Sequence, residues 1–133
     1  ASLTARFVAA AAGRCALLDT RKTSPGWRHL QKAAVRAGGG VNHRMGLYDE
    51  VMLKDNHADF SADPGEGPPA RLARLVHLAR IAHGPAVRLT AEARDLEQAE
   101  AALDAGADVL LLDNFAAAEL GPVCAALRAR ARQ

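Results

Sequence analysis

The sequence predicts an α/β protein built on a parallel sheet. Short apolar runs alternate with amphipathic segments along the 133 residues, the pattern of strands joined by right-handed helical crossovers. Aromatic residues make up only 4% of a chain that is 50% hydrophobic, so Ala, Leu and Val must fill the core, which suits small-residue helices packed on a sheet. Each apolar run also hands over to charged residues, where ligands bind in parallel α/β folds. The length predicts one domain.

Residues 2 to 12 carry Leu3, Phe7, Val8 and Ala11 at helical spacing, with Ser2 as the cap and Gly13 as the stop. Cys15 to Leu18 is a short apolar run of the kind buried on both faces of a sheet. Pro25 opens and Gly38 closes a second helix from about Gly26 to Ala37. Gly38, Gly39 and Gly40 then make a turn too permissive for regular structure. Glu50 to Leu53 is the next strand. From Ala58 to Pro69, three prolines, two glycines and three acids predict a surface loop. Leu72, Leu75, Val76 and Ala79 mark a helix, and Ala86 to Ala91 a strand. Leu96, Ala99 and Leu103 mark another helix, stopped by Gly106. Val109 to Leu112 is the most strand-like run, and Leu120, Val123, Cys124 and Leu127 mark the last helix. A doubly wound sheet and a barrel both satisfy this order.

Composition narrows the function classes. Seventeen Lys plus Arg against 15 Asp plus Glu give a formal charge of +2, too balanced for a nucleic-acid surface, and aromatic stacking platforms are missing. No apolar run approaches a membrane span, and the first residues do not read as a signal peptide, so a cytoplasmic location is expected. Cys15 and Cys124, with no C-x-x-C pair, are expected to be buried free thiols.

Polar residues follow every predicted strand: Asp19 to Lys22, Lys54 to His57, Glu92, and Asp113 to Asn114. Taken singly, an Arg-Lys pair is a solvated loop, His43 and His57 are exposed, and Asp19 is a cap or a bridge. His29, His77 and His83 read as surface residues. Their joint placement at successive strand ends instead describes one rim, with Arg21, Lys22, His43, Arg44, Lys54 and His57 as cations and Asp55, Glu92 and Asp113 as acids. Arginine offers a planar fork matched to carboxylate or phosphate and lysine a point charge, so the rim suits a polyanionic substrate. The acids suit hydroxyl groups or a divalent metal. There is no phosphate-binding G-K-[ST] loop and no G-x-G-x-x-G.

At LDTRKTSPG, GGGVNHRMGLYD and LKDNH the chain closely resembles quinolinate phosphoribosyltransferase, also called carboxylating nicotinate-nucleotide pyrophosphorylase. The likeness is nearly continuous from residue 18 to 57 and extends more loosely through TAEARDLEQAEAALDAGADVLLLDNF, residues 90 to 115. The resemblance implies a partial parallel (β/α) barrel of the phosphoribosyltransferase type, incomplete after the LLLDN strand. It implies phosphoribosyl transfer from PRPP to quinolinate with Mg²⁺, releasing pyrophosphate and CO₂ and giving nicotinate mononucleotide for NAD synthesis, in a dimer-based homo-oligomer. By resemblance, Arg21, His43, Arg44 and Lys54 clamp the quinolinate carboxylates, with Thr20 contributing a hydroxyl. Lys22, Asn56 and His57 hold the pyrophosphate. Glu92 and Asp113 meet the ribose hydroxyls and Mg²⁺ through water, assisted by Asp55, and Lys54, Glu92 and Asp113 form the catalytic set.

Against the family pattern, the resemblance implies that an N-terminal domain before residue 2 and the last barrel strands after Asp113 are absent from these 133 residues, Thr90 stands where another acid is common, and the 58–69 loop is unusually rich in proline and acids. Stopping a barrel after LLLDN leaves an open parallel edge, so the isolated chain is expected to be marginal or to self-associate. Two alternatives stay open: a molybdenum-transport-associated pyrophosphorylase relative, which the intact LKDNH disfavours, and a catalytically incomplete fragment that only binds anions.

Overall fold

Helices α1 (Ser2–Ala11) and α2 (Arg28–Ala37) frame the first of two units, Ala1–Asp49, into which the chain divides. The computed structural model describes residues 1–61 and 63–132. Ser2 is the first helical residue of α1, and Ala1 takes the cap position, accepting from the Ala5 N–H at 2.9 Å. The helix stops one residue before Gly13, at Ala12, which adopts the left-handed conformation with φ 50°.

Helix α2 starts two residues later than expected. Pro25 and Gly26 form a turn, with the Trp27 N–H donating to Ser24 O at 3.0 Å and Gly26 at φ 76°. Gln31 locks that turn, accepting from the Ser24 N–H at 3.1 Å and donating to Ser24 Oγ at 3.2 Å.

The expected strand from Cys15 to Leu18 shrinks to a single parallel bridge between Leu18 and Val41. Two main-chain bonds flank it, the Val41 N–H to Leu17 O at 2.8 Å and the Asp19 N–H to Val41 O at 3.1 Å, and the side-chain network of Asp19 described below adds to them. Both thiols are free as expected, but neither is fully buried: Cys15 is exposed and Cys124 half-buried.

The glycine triplet is a tight strap, not an open turn. A Cβ at Gly38 would lie 2.5 Å from Ala1 O and 2.6 Å from Thr4 Cβ, and one at Gly40 would lie 2.7 Å from Val35 Cγ1. Glycine is needed there because α1, α2 and the 17–18 backbone approach too closely for a side chain.

The second unit, Glu50–Gln133, holds a parallel sheet in the order β1 (Val51–Leu53), β2 (Leu89–Ala93), β3 (Val109–Leu112). Its helices are α3 (Asp55–Phe60), α4 (Pro68–His83), α5 (Leu96–Asp104) and α6 (Ala117–Arg130). Helix α3 occupies part of the stretch expected to be loop, while Pro68 and Pro69 open α4. The loop keeps its polar character by being clamped. Arg74 donates to Glu66 Oε1 at 2.9 Å and to Ser61 O at 2.7 Å, and Arg71 donates to Glu66 O at 2.9 Å.

Register splits the sheet into two chemically different faces. Val51 pairs with Leu89, Leu53 with Ala91, Ala91 with Leu110 and Ala93 with Leu112; these side chains pack against Leu72 and Val76 of α4, Ala99 and Ala102 of α5, and Leu127 of α6. Small residues at 91, 93, 99 and 102 let helix and sheet approach closely, as the aromatic-poor composition requires. The alternate positions, Met52 with Thr90 and Glu92 with Leu111, fall on the opposite face, and Glu50 and Lys54 continue it at the two ends of β1. At the amino-terminal ends of the strands Arg80 joins four groups: Gly84 O at 3.3 Å, Val87 O at 2.9 Å, Gly106 O at 2.8 Å and Asp108 Oδ2 at 2.7 Å.

Candidate active site

In the first unit the candidate residues lie on two loops. Thr20, Arg21 and Lys22 follow the bridge residue Leu18 by way of Asp19, and Thr20 Oγ1 accepts from the Lys22 N–H at 3.1 Å, which curls the loop. Arg28, at the start of α2, spans both loops: it donates to Arg21 O at 3.4 Å, to Thr23 Oγ1 at 3.2 Å and to Met45 O at 3.3 Å. Among the described residues, the buried Nε of Arg21 has no hydrogen-bond partner, an orphan donor on a residue expected to grip a carboxylate. Lys22 is exposed.

His43 and Arg44 sit on the second loop, which is held from beneath by a buried cluster. The Asp19 carboxylate accepts from Lys32 Nζ at 2.5 Å, Asn42 Nδ2 at 2.5 Å and the His43 N–H at 2.8 Å. Burial opposes ionisation of Asp19, but the hydrogen bonds from Lys32, Asn42 and the His43 main chain together outweigh it and hold the carboxyl below its usual range. Sequence reasoning passed over Lys32 and Asn42. A lysine on an amphipathic helix looks solvated, and the signal that would have found it is the acid at 19, whose partner lies thirteen residues on.

In the second unit the candidates stand at the carboxyl ends of the strands. Lys54, just past β1, places Nζ 3.2 Å from Oε2 of Glu92 on β2; the lysine side chain is 44% exposed and the glutamate 5%. Glu92 lies within β2 instead of after it, because the strand runs to Ala93 where Ala91 was expected as its end. Asp55, Asn56 and His57 form the first turn of α3. His57 Nδ1 accepts from the Lys54 N–H at 2.9 Å, so one ring nitrogen caps the helix. Asp55 meets Arg94 at 2.5 Å, and Asp59 lies 3.6 Å from the same guanidinium. The hydrogen bond from Arg94, then that from the Asn56 N–H, holds the Asp55 carboxyl below its ordinary range.

Asp113 continues the ladder beyond β3, its N–H donating to Ala93 O at 3.0 Å, and its carboxylate accepts from Asn114 Nδ2 at 2.7 Å. The position occupied by Thr90 is served by a neighbouring acid: its hydroxyl donates to the buried Glu50 carboxylate at 2.6 Å. Arg94 and Glu50 were not singled out from sequence: Arg94 lies in the more loosely matching TAEAR stretch, and Glu50 reads only as the start of a strand.

Among the described residues no three His, Cys, Asp or Glu side chains gather to hold a metal. Glu92 within β2 and Asp113 just past β3 are the acids at these two strand ends. No helix among the described residues is long and apolar enough to cross a membrane.

Charged residues at the carboxyl ends of its parallel sheet place the second unit in the class of α/β folds whose strand ends bind small ligands. Comparison with known proteins makes this specific. The family model for the quinolinate phosphoribosyl transferase C-terminal domain matches residues 1–133, and the chain belongs to that family. It is 46% identical over 98 residues to a probable nicotinate-nucleotide pyrophosphorylase [carboxylating] of Bacillus subtilis, covering 74% of this chain and 31% of that protein. It is 42% identical over 118 residues to the Mycobacterium leprae nicotinate-nucleotide pyrophosphorylase [carboxylating], covering 86% and 38%. NadC from Streptococcus pyogenes superimposes with a TM-score of 0.83 at 35% identity, over 97% of this chain and 43% of that one. The matched region is thus about a third of the length of these curated relatives.

Proposed function

We propose that the protein carries out phosphoribosyl transfer from PRPP to quinolinate with decarboxylation, yielding nicotinate mononucleotide, pyrophosphate and CO₂ for NAD synthesis. The observation that carries this reading is the Lys54–Glu92 pair at the carboxyl ends of adjacent strands, inside the LKDNH and TAEAR segments of a chain that the family model matches from end to end.

On this reading Arg21, His43, Arg44 and Lys54 bind the two quinolinate carboxylates, with Thr20 at their edge. The orphan Nε of Arg21 supports its part, since a buried guanidinium donor without a partner is satisfied by a carboxylate oxygen. Lys22, Asn56 and His57 hold the pyrophosphate of PRPP. Glu92, Asp113 and Asp55 face the ribose hydroxyls.

As the bond from the ribose anomeric carbon to pyrophosphate breaks, positive charge grows on the sugar, and the quinolinate ring nitrogen attacks that carbon. Carboxylates near the ribose and cations at the departing pyrophosphate both lower the barrier, because they are aimed before the charge develops. Mg²⁺, held through water by Glu92 and Asp113, would neutralise charge on the pyrophosphate. The positive charge on the ribosylated nitrogen then stabilises the carbanion left at the adjacent ring carbon as CO₂ departs, and a proton takes the vacated position. That step needs orientation more than a dedicated acid or base.

A second reading is a chain that binds the anionic substrates without turning them over. Separate titrations with quinolinate and PRPP, followed by a pyrophosphate-release assay with and without Mg²⁺, decide between them. Mg²⁺-dependent release supports catalysis, binding without release supports the second reading, and absence of quinolinate binding removes both. A cytoplasmic location and a dimer-based assembly go with the first reading; the oligomer is checked by sedimentation at several concentrations.

A further inference from the structure

Lys32 is the largest buried polar feature of the first unit, with 2% of its side chain exposed, and its partner Asp19 is exposed to only 4%. Burying an ammonium and a carboxylate is costly, and an apolar pair of similar volume would stabilise a fold at least as well. What an apolar pair lacks is direction.

Here the direction is specific. The main chain of His43 is gripped on both sides: its N–H donates to Asp19 Oδ1 at 2.8 Å, and its carbonyl accepts from Lys32 Nζ at 2.8 Å. Asn42 adds a third constraint, donating through Nδ2 to both Asp19 Oδ2 and Lys32 O. The peptide groups on either side of His43 therefore have little freedom to rotate, and they set the direction in which Arg44 leaves. On the other side, Asp19 is the residue immediately before Thr20, Arg21 and Lys22.

We propose that the Asp19–Lys32 pair is a strut that sets the 20–22 and 43–44 loops in register with each other, making both members positioning residues for the carboxylate-bearing substrate. The proposal rests on the reading that these loops bind quinolinate. It assigns Lys32 no contact with substrate; its effect passes through the His43 carbonyl.

The test replaces the pair with apolar residues, Asp19→Leu together with Lys32→Met, in the whole chain. The expected result is a melting temperature close to that of the unsubstituted protein, with quinolinate affinity weakened by at least tenfold and PRPP affinity within threefold. A folded double variant that keeps quinolinate affinity within twofold would overturn the proposal, because stability alone would then be the role of the pair.

A ligand-free measurement guards against failure of the variant to fold. In the unsubstituted protein the His43 amide should exchange with deuterium at least a hundredfold more slowly than an open loop amide. Exchange at the open-loop rate would overturn the proposal without any variant. That arm also separates the two levels of inference: a protected His43 amide with no quinolinate binding leaves the strut standing and removes the functional reading.

Discussion

Lys54 Nζ lies 3.2 Å from Glu92 Oε2, joining the carboxyl ends of two adjacent parallel strands. The contact is lopsided, since the lysine can retain water while the glutamate is almost fully enclosed. Removing the cation is therefore worse for the fold than an exposed pair would suggest, because the enclosed carboxylate loses its partner. Lys54→Met is expected to cost about 1–3 kcal/mol, and Glu92→Gln less, since an amide is easier to enclose than a charge. Urea unfolding of both singles and the double should show coupling of about 0.5–3 kcal/mol between the sites; strict additivity would mean the pair does not interact.

The glycine strap makes a steric prediction. A methyl group at Gly40 would fall 2.7 Å from Val35 Cγ1 and 3.1 Å from Leu17 O, and backbone cannot step aside as a flexible side chain can. Gly40→Ala is expected to destabilise by about 1–3 kcal/mol. Gly13→Ala is the control: nothing lies within 4 Å, so only its φ of 73° opposes the substitution, at about 1–2 kcal/mol. Val35→Ala should recover part of the Gly40→Ala loss in thermal melts but none of the Gly13→Ala loss.

Arg80 gathers three carbonyls and the Asp108 carboxylate at the end of the sheet remote from the candidate residues. A lysine has the charge but not the fork needed to reach them all. Arg80→Lys is expected to lower stability by about 1–3 kcal/mol while leaving ligand affinity within twofold. A matching loss of quinolinate binding in a folded protein would contradict that division between stability and function.

Asp19 sets a pH dependence. Its folded pKa is depressed below the ordinary 3.8, so its contribution is fully present above that value and is lost as pH falls from there through the folded pKa. The Asp19→Asn variant should therefore be less stable at pH 6, and the gap should narrow as the pH falls below about 4. Chemical denaturation at closely spaced pH values checks the slope; a gap that widens on acidification would reverse the sign of the argument.

Helices were legible where a single apolar stripe defined them. Leu72 and Val76, or Ala99 and Leu103, announce their faces because burial on one side is all they require. The 109–112 strand was legible as a compact apolar run. The 15–18 segment was not, because hydrophobicity says nothing of how many partners a strand will find, and this one pairs through Leu18 alone. Helix α3 was hidden for a related reason: its DNHADF sequence has no apolar stripe, and it is held by the His57 cap and the Asp55–Arg94 contact. The charged motif residues were readable as a set, whereas Lys32 and Glu50 act through neighbours far away in sequence and carry no local mark, and Asn42, though inside a motif, acts on Asp19 twenty-three residues back.

The two-faced register of β2 has a consequence for assembly. Thr90 and Glu92 alternate with Leu89, Ala91 and Ala93, so a shift of the strand by one residue would drive a carboxylate into the hydrocarbon layer beneath the helices and turn alanines toward charged neighbours. Misaligned pairings are thus rejected by the same side chains that make one face of the sheet polar, which ties the fidelity of folding to that face.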